Sequence, residues 1–182
     1  PQEKIDDLIT TDEDGSRILG AVDIYGLMFH GPRFQPLKGV VATIETTSGT
    51  GIEARVNSIQ DLPDPRLFNI RGKGIIPDLT SYPMLIESCF QAAGLTSMDL
   101  DSAESLPVGA KRILIAGEIP EGSLTVTSVR KGSETNGTFV HESVIRLDGS
   151  PIMRVDGLKM KKLRDLNDDQ RPGLAEYSGE LA

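Results

Sequence analysis

The chain is poor in the residues that build metal and redox sites: among 182 residues it has one cysteine, Cys89, and two histidines, His30 and His141. A single thiol cannot close an intramolecular disulfide, and the three residues together fall short of the usual four-ligand zinc set. Positive charge is also scarce, with 19 Lys+Arg against 27 Asp+Glu and a formal net charge of −8. That balance argues against a nucleic-acid partner, whose phosphates require a basic footprint. No apolar run approaches a membrane span, and no charged-then-apolar segment opens the chain as a secretory signal would. A cytoplasmic location away from membranes is therefore the expectation. Neither a Gly-x-Gly-x-x-Gly fingerprint nor a Walker-type loop occurs, so no nucleotide cofactor is indicated. Internal repeats and low-complexity runs are missing too.

What remains is ordinary globular material, 38% hydrophobic and 25% charged. The length suits one domain with a real core. The first residue is Pro1 rather than Met, which suggests a piece of a longer polypeptide. Residues 1–15 are acidic and turn-rich and read as a lead-in, residues 16–164 as one domain, and residues 165–182 as a polar tail. A short apolar segment at 17–22 is a strand candidate. "DIYGLMFHGP" then reads as a brief helical turn stopped by Gly31-Pro32, because proline disfavours helix at the residue before it. "LKGVVATIET" and "GIEARVN", joined by "TSGTG", read as a hairpin. The Pro-, Asp- and Gly-rich stretch 60–78 reads as loop.

"SYPMLIESCFQAAGL" is the convincing helix. Ser81 can cap it, Pro83 suits its first turn and Gly94 can end it. Met84, Leu85, Ile86, Cys89, Phe90, Ala92 and Ala93 cover most of its surface, which predicts a helix buried on nearly every side. Glu87 and Gln91 interrupt that surface four residues apart, which puts both on one face. After an acidic loop come four strand-like segments, at 111–119, 123–131, 138–147 and 151–163, the last two joined by the hairpin signal Asp148-Gly149. The pattern is an α+β layout in which an antiparallel sheet wraps around one apolar helix.

Three segments carry a family resemblance. "FHGPRFQPL" resembles the [Tyr/His]-Gly-Pro-x-Phe-Gln segment of polyketide synthase dehydratase domains, its His-Gly-Pro form being most like iterative enzymes and polyunsaturated fatty acid synthases. "YPMLIESCFQAAG" resembles the central helix of those domains, usually Pro-x-[Leu/Ile]-[Leu/Ile]-Asp-x-x-x-Gln. "LPVGAKRILI" is similar to the segment that follows it. Together they run in order from about Tyr25 to Leu163. The resemblance implies the hot-dog fold. Such dehydratases are double hot dogs: the first half carries a catalytic histidine in His-x-x-x-Gly-x-x-x-x-Pro, the second the Asp-x-x-x-Gln helix. The motifs here resemble the second half. Neither histidine fits the first motif, since Phe34 follows His30 by four and Ile145 follows His141 by four. Glu87 stands where the family usually has Asp.

The resemblance implies loss of water from a 3-hydroxyacyl thioester held on the phosphopantetheine arm of an acyl carrier protein, with no further cofactor and no metal. Such a reaction needs a base for the α-proton and an acid for the departing β-hydroxyl. Glu87 is the candidate acid and Gln91 its orienting neighbour. Tyr25, His30, Gly31, Pro32 and Phe34 are candidate substrate-binding residues, with the Gly31 backbone close to the thioester carbonyl. The expected partners are the carrier protein and a first hot-dog half or a second copy of the chain. Structural alternatives stand beside each role. Glu87 can be a buried carboxyl paired with Arg33 or Arg71, Gln91 a helix-to-loop tie, Tyr25 core packing, and His30 a turn residue at the rim with Phe29 and Phe34 as anchors. Cys89 reads as core. "KMKKLR" at 159–164 reads as a solvated strand edge or a surface for an acidic carrier protein. A non-catalytic docking domain and a hot-dog thioesterase are the competing functions.

Overall fold

A computed structural model describes residues 19–58, 78–116, 121–167 and 170. The lead-in 1–15, the loop 60–77, Arg71 and most of the expected polar tail lie outside these residues. The elements in order are β1 (Leu19–Gly20), α1 (Ala21–Leu27), a 3-10 turn (Pro32–Phe34), β2 (Leu37–Thr46), β3 (Gly49–Val56), α2 (Asp78–Asp101), β4 (Ala103–Gly109), β5 (Arg112–Ile115), β6 (Leu124–Glu134), β7 (Thr138–Leu147) and β8 (Ser150–Asp165). The strands form one antiparallel sheet in the order β1-β2-β3-β6-β7-β8-β4, with β5 also paired to β8. It curls around α2, as the α+β reading expects, and the arrangement is the hot-dog fold.

Both expected hairpins form. β2 and β3 pair from Leu37↔Val56 to Thr46↔Gly49. β7 and β8 meet across Asp148 (φ 48°) and Gly149 (φ 81°), the paired left-handed conformations that a two-residue Asp-Gly turn requires. The helical turn before Gly31-Pro32 is shorter than expected. α1 stops at Leu27, and Pro32 instead opens the 3-10 turn, whose Phe34 N–H donates to the Gly31 carbonyl at 2.8 Å.

The central helix is much longer than its cap signals indicate. It begins at Asp78, upstream of Ser81, so Pro83 is its sixth residue, and it continues seven residues past Gly94. Tertiary burial overrides the glycine. Leu95 is fully buried and Met98 nearly so, and the Thr96 and Ser97 hydroxyls donate to the carbonyls of Ala92 and Ala93 at 2.8 and 3.1 Å. The stop falls at Ser102, whose φ of 46° is the left-handed conformation that ends many helices. The expected acidic loop is therefore the last helical turn followed by a strand, β4, paired along β8.

The core packs Leu85, Cys89, Ala92, Ala93 and Leu95 of α2 against sheet residues such as Ile52, Val126, Ile145, Met153 and Leu158. Burial pushes the Cys89 thiol well above its usual range, which makes it inert packing. At the C-terminal end of α2, Arg130 donates to both Asp101 carboxylate oxygens at 2.9 and 3.2 Å and lies 4.3 Å from the Phe139 ring centroid. The cations of "KMKKLR" also have partners within the chain: Lys159 meets Glu134 at 2.5 Å, Lys162 meets Asp165, and Arg164 meets Glu104.

His141 is fully buried beneath this clamp, its Nε2 3.2 Å from Ser97 Oγ. Because the Ser97 proton goes to Ala93, His141 Nε2–H is the donor and Nδ1 is bare. Burial, reinforced by the Arg130 charge, pushes its pKa down to about 3. The imidazole is folded neutral and titrates near 6.5 only when unfolded. Stability is thus fully present above about pH 6.5 and falls towards pH 3, by at most about 1.4 kcal/mol per pH unit for one proton. His141→Gln, which takes up no proton, is expected to flatten this acid limb in denaturant melts between pH 6.5 and 4. An acid limb that is equally steep in the variant would assign it to other groups.

Candidate active site

A cavity of about 470 Å³ lies along α2, between the helix, the 27–34 segment, β4 and Met160 of β8. His30, Gly31, Phe34, Glu87 and Gln91 all line it. Tyr25 and Pro32 do not. Pro32 shapes the turn, and Tyr25 stands behind Gln91, partly buried against the core.

The polar cluster is one hydrogen-bonded chain with a fixed direction. The Leu37 backbone N–H donates to Tyr25 Oη at 2.7 Å, so the Tyr25 O–H is free to donate onward, to Gln91 Oε1 at 3.0 Å. The Gln91 amide is thereby turned so that Nε2 donates to the Phe34 carbonyl at 2.8 Å and to Glu87 Oε1 at 3.1 Å. His30 Nε2 meets the same Glu87 Oε1 at 3.0 Å. Two nitrogens therefore converge on one carboxylate oxygen, and Oε2 has no hydrogen-bond partner among the described residues. Burial raises the Tyr25 phenol well above its usual range. The Leu37 N–H opposes that rise and the Glu87 charge adds to it. Tyr25 thus serves as a hydrogen-bond donor and not as a base.

Local sequence explains these positions. Glu87 and Gln91, one helical turn apart, share the face that α2 turns to the cavity. The 3-10 turn brings the Phe34 carbonyl over Gln91, and Gln35 Nε2 ties the turn back to the His30 carbonyl at 3.0 Å. A Cβ at Gly31 would meet nothing within 4 Å, so the backbone there is open to a ligand. Gln91 is both a cavity residue and a helix-to-loop tie. Glu87 is paired with His30; Arg71 and the Arg33 side chain lie outside the described residues. Phe29 is no anchor, being 73% exposed and stacked on the His30 ring at 4.5 Å. Phe34 is also largely exposed, at the cavity wall.

The apolar part of the cavity was not foreseen. Met28, Phe90, Gly94, Met98, Leu106 and Met160 line it. Positions 87, 91, 94 and 98 continue one helical stripe, a signal hidden by the assumption that Gly94 ends the helix.

The arrangement is a carboxyl group in a mainly apolar cavity, held by an amide and an imidazole, with Glu104 and Ser105 of β4 as further polar lining. It can exchange a proton with a bound molecule while apolar walls hold the rest of that molecule. Among the described residues no helix is long and apolar enough to cross a membrane.

No curated protein matches the chain. Solved structures do. The dehydratase domain of PpsC from Mycobacterium tuberculosis, in complex with C12:1-CoA, is similar with a TM-score of 0.56 and 22% identity, covering 85% of this chain and 56% of that one. The dehydratase domain of RzxB from Pseudomonas fluorescens gives 0.53 and 18%, covering 85% and 54%. The dehydratase domain of the CurJ module of the Curacin polyketide synthase gives 0.52 and 15%, covering 80% and 50%. The chain thus spans about half the length of the dehydratase structures it matches. The family profile that matches, described as polyketide synthase dehydratase N-terminal domain, covers residues 13–170. With that span, which takes in the whole described fold, the chain belongs to the polyketide synthase dehydratase family.

Proposed function

We propose that the chain is the acid-bearing hot dog of a dehydratase that removes water from 3-hydroxyacyl thioesters presented on the phosphopantetheine arm of an acyl carrier protein. The observation that carries the reading is the convergence of His30 and Gln91 on Glu87 in the mainly apolar cavity. In this role the Glu87 carboxyl protonates the departing β-hydroxyl, Gln91 and His30 fix its position, and the open backbone at Gly31 receives the thioester end of the substrate. The matched family is designated an N-terminal domain, whereas the Glu-x-x-x-Gln helix and the lack of His-x-x-x-Gly-x-x-x-x-Pro argue for the second hot dog. The motifs carry the chemistry, and they are those of the second hot dog. The base then comes from another hot dog, on the same polypeptide or on a separate chain. A synthase of polyketide or polyunsaturated fatty acid type is the setting that fits.

The missing histidine motif also favours a second reading, a docking domain without activity. One assay separates the two. The protein is incubated with a 3-hydroxyacyl pantetheine thioester, alone and with a hot-dog domain that carries the histidine motif, and both enoyl product and free thiol are followed. Enoyl product only in the mixture is the expected result. Free thiol without enoyl would mean a thioesterase, and no product in either case would leave the docking role.

A further inference from the structure

The cavity continues beyond the polar cluster. From Glu87 to Met98 its floor follows one stripe of α2, about 16 Å at 1.5 Å per residue. Gly94 lies in the middle of this floor, and Met28, Met98 and Met160 stand around it. Nothing in the backbone calls for glycine here. The residue is in mid-helix with no left-handed φ, and a Cβ on it would meet only Met28 Cε at 3.3 Å and Met160 Cε at 3.9 Å, the mobile ends of two flexible side chains. Glycine is a poorer helix former than alanine, and a Cβ here asks Met28 Cε to give by only a few tenths of an ångström, which the free end of a flexible side chain can do, so packing alone does not call for glycine. The cavity explains it: Gly94 lines the cavity floor, and a larger side chain at 94 would enter the cavity between Met28 and Met160.

We propose that Gly94 is a specificity-determining residue that keeps this passage open for the acyl chain, so that the site takes long apolar 3-hydroxyacyl chains, with the three methionines as adjustable walls. This rests on the function proposed above. A staggered carbon chain with bonds of about 1.5 Å advances slightly less per carbon than a helix does per residue, so about eight carbons beyond the β-carbon span Glu87 to Gly94. Shorter chains end before residue 94, and longer ones must pass it.

The test reads binding, which does not depend on turnover. Butanoyl- and tetradecanoyl-coenzyme A, the latter below its micellar concentration, are titrated calorimetrically into the protein and into Gly94→Ala and Gly94→Leu. The unsubstituted protein is expected to bind the longer thioester at least tenfold more tightly. Gly94→Leu lowers that preference at least tenfold. Gly94→Ala lowers it less and raises the unfolding midpoint by about 2–4 °C, the gain expected from a better helix former. This opposition of stability and long-chain affinity is not what a packing role for Gly94 would give. An unchanged long-to-short ratio in both variants, or a parallel loss for both thioesters, overturns the proposal. If neither thioester binds the unsubstituted protein, the function proposed above falls with it.

Discussion

On the proposed function, Glu87→Gln is expected to lower enoyl formation by about 10³-fold while leaving KM within a few-fold, because it removes only the proton that the carboxyl would deliver. The amide has the size of the carboxyl and keeps the site filled. The comparison with Glu87→Asp is more informative. Aspartate is the usual residue of the family, yet here its shorter side chain withdraws the carboxyl from His30 and Gln91, which meet Glu87 Oε1 at 3.0 and 3.1 Å. A displacement of about 1 Å costs about 10²-fold in rate. Tyrosine, the family's other residue at position 30, is longer than histidine. Glu87→Asp combined with His30→Tyr is therefore expected to recover most of the loss that Glu87→Asp alone causes, a coupling measurable as a double-mutant cycle in kcat. Strictly additive effects would mean that His30 does not position the carboxyl. A Glu87→Gln protein with more than a tenth of the original rate would reduce Glu87 to a structural residue.

A large loss of stability is expected from Gly51→Ala. Gly51 faces Val129 where β3 meets β6, and a Cβ there would lie 1.9 Å from the Ser128 carbonyl oxygen and 2.7 Å from Val129 Cα. These are backbone atoms of the neighbouring strand, so no rotamer change relieves the overlap and the ladder itself must open. Overpacking against mobile side chains costs about 1–3 kcal/mol, and a clash with fixed backbone belongs at or above the top of that range. A urea titration should show a lower midpoint with an unchanged slope. A loss below about 0.5 kcal/mol, within the range of neutral surface substitutions, would contradict the close approach of the two strands.

The contrast between these glycines shows what the sequence could reveal. The hairpins at 37–56 and 138–163 were legible because their turn residues act locally, through backbone conformations that Asp148 and Gly149 adopt readily. The Glu87–Gln91 pair was legible because four-residue spacing fixes a shared helix face. The end of α2 was not. Gly94 is a local stop signal, but it was overruled by the burial of Leu95 and Met98, which depends on strands far away in sequence. β4 was concealed for the same reason: "AESLPVG" has little strand character of its own and is held by its ladder with β8. The partnership of His30 with Glu87 joins segments more than fifty residues apart and has no local signature, so His30 read as a substrate-binding or turn residue at the rim and not as the partner of Glu87. Family resemblance supplied the pair of positions, while only the fold shows that they touch.

The β3–β6 ladder also constrains how the chain folds. It joins Val56 to Leu124, and all of α2 lies between them in sequence. Because the sheet curls around that helix, the ladder and the seated helix enclose the same core. Formation of this ladder carries the entropy of a long loop and gains its reward only once the core is in place. The hairpins β2–β3 and β7–β8 on either side close only short loops, whereas the polar cluster at Glu87 needs Tyr25, Phe34 and the helix together. The geometry of the site and the closure of the sheet depend on the same long-range contacts.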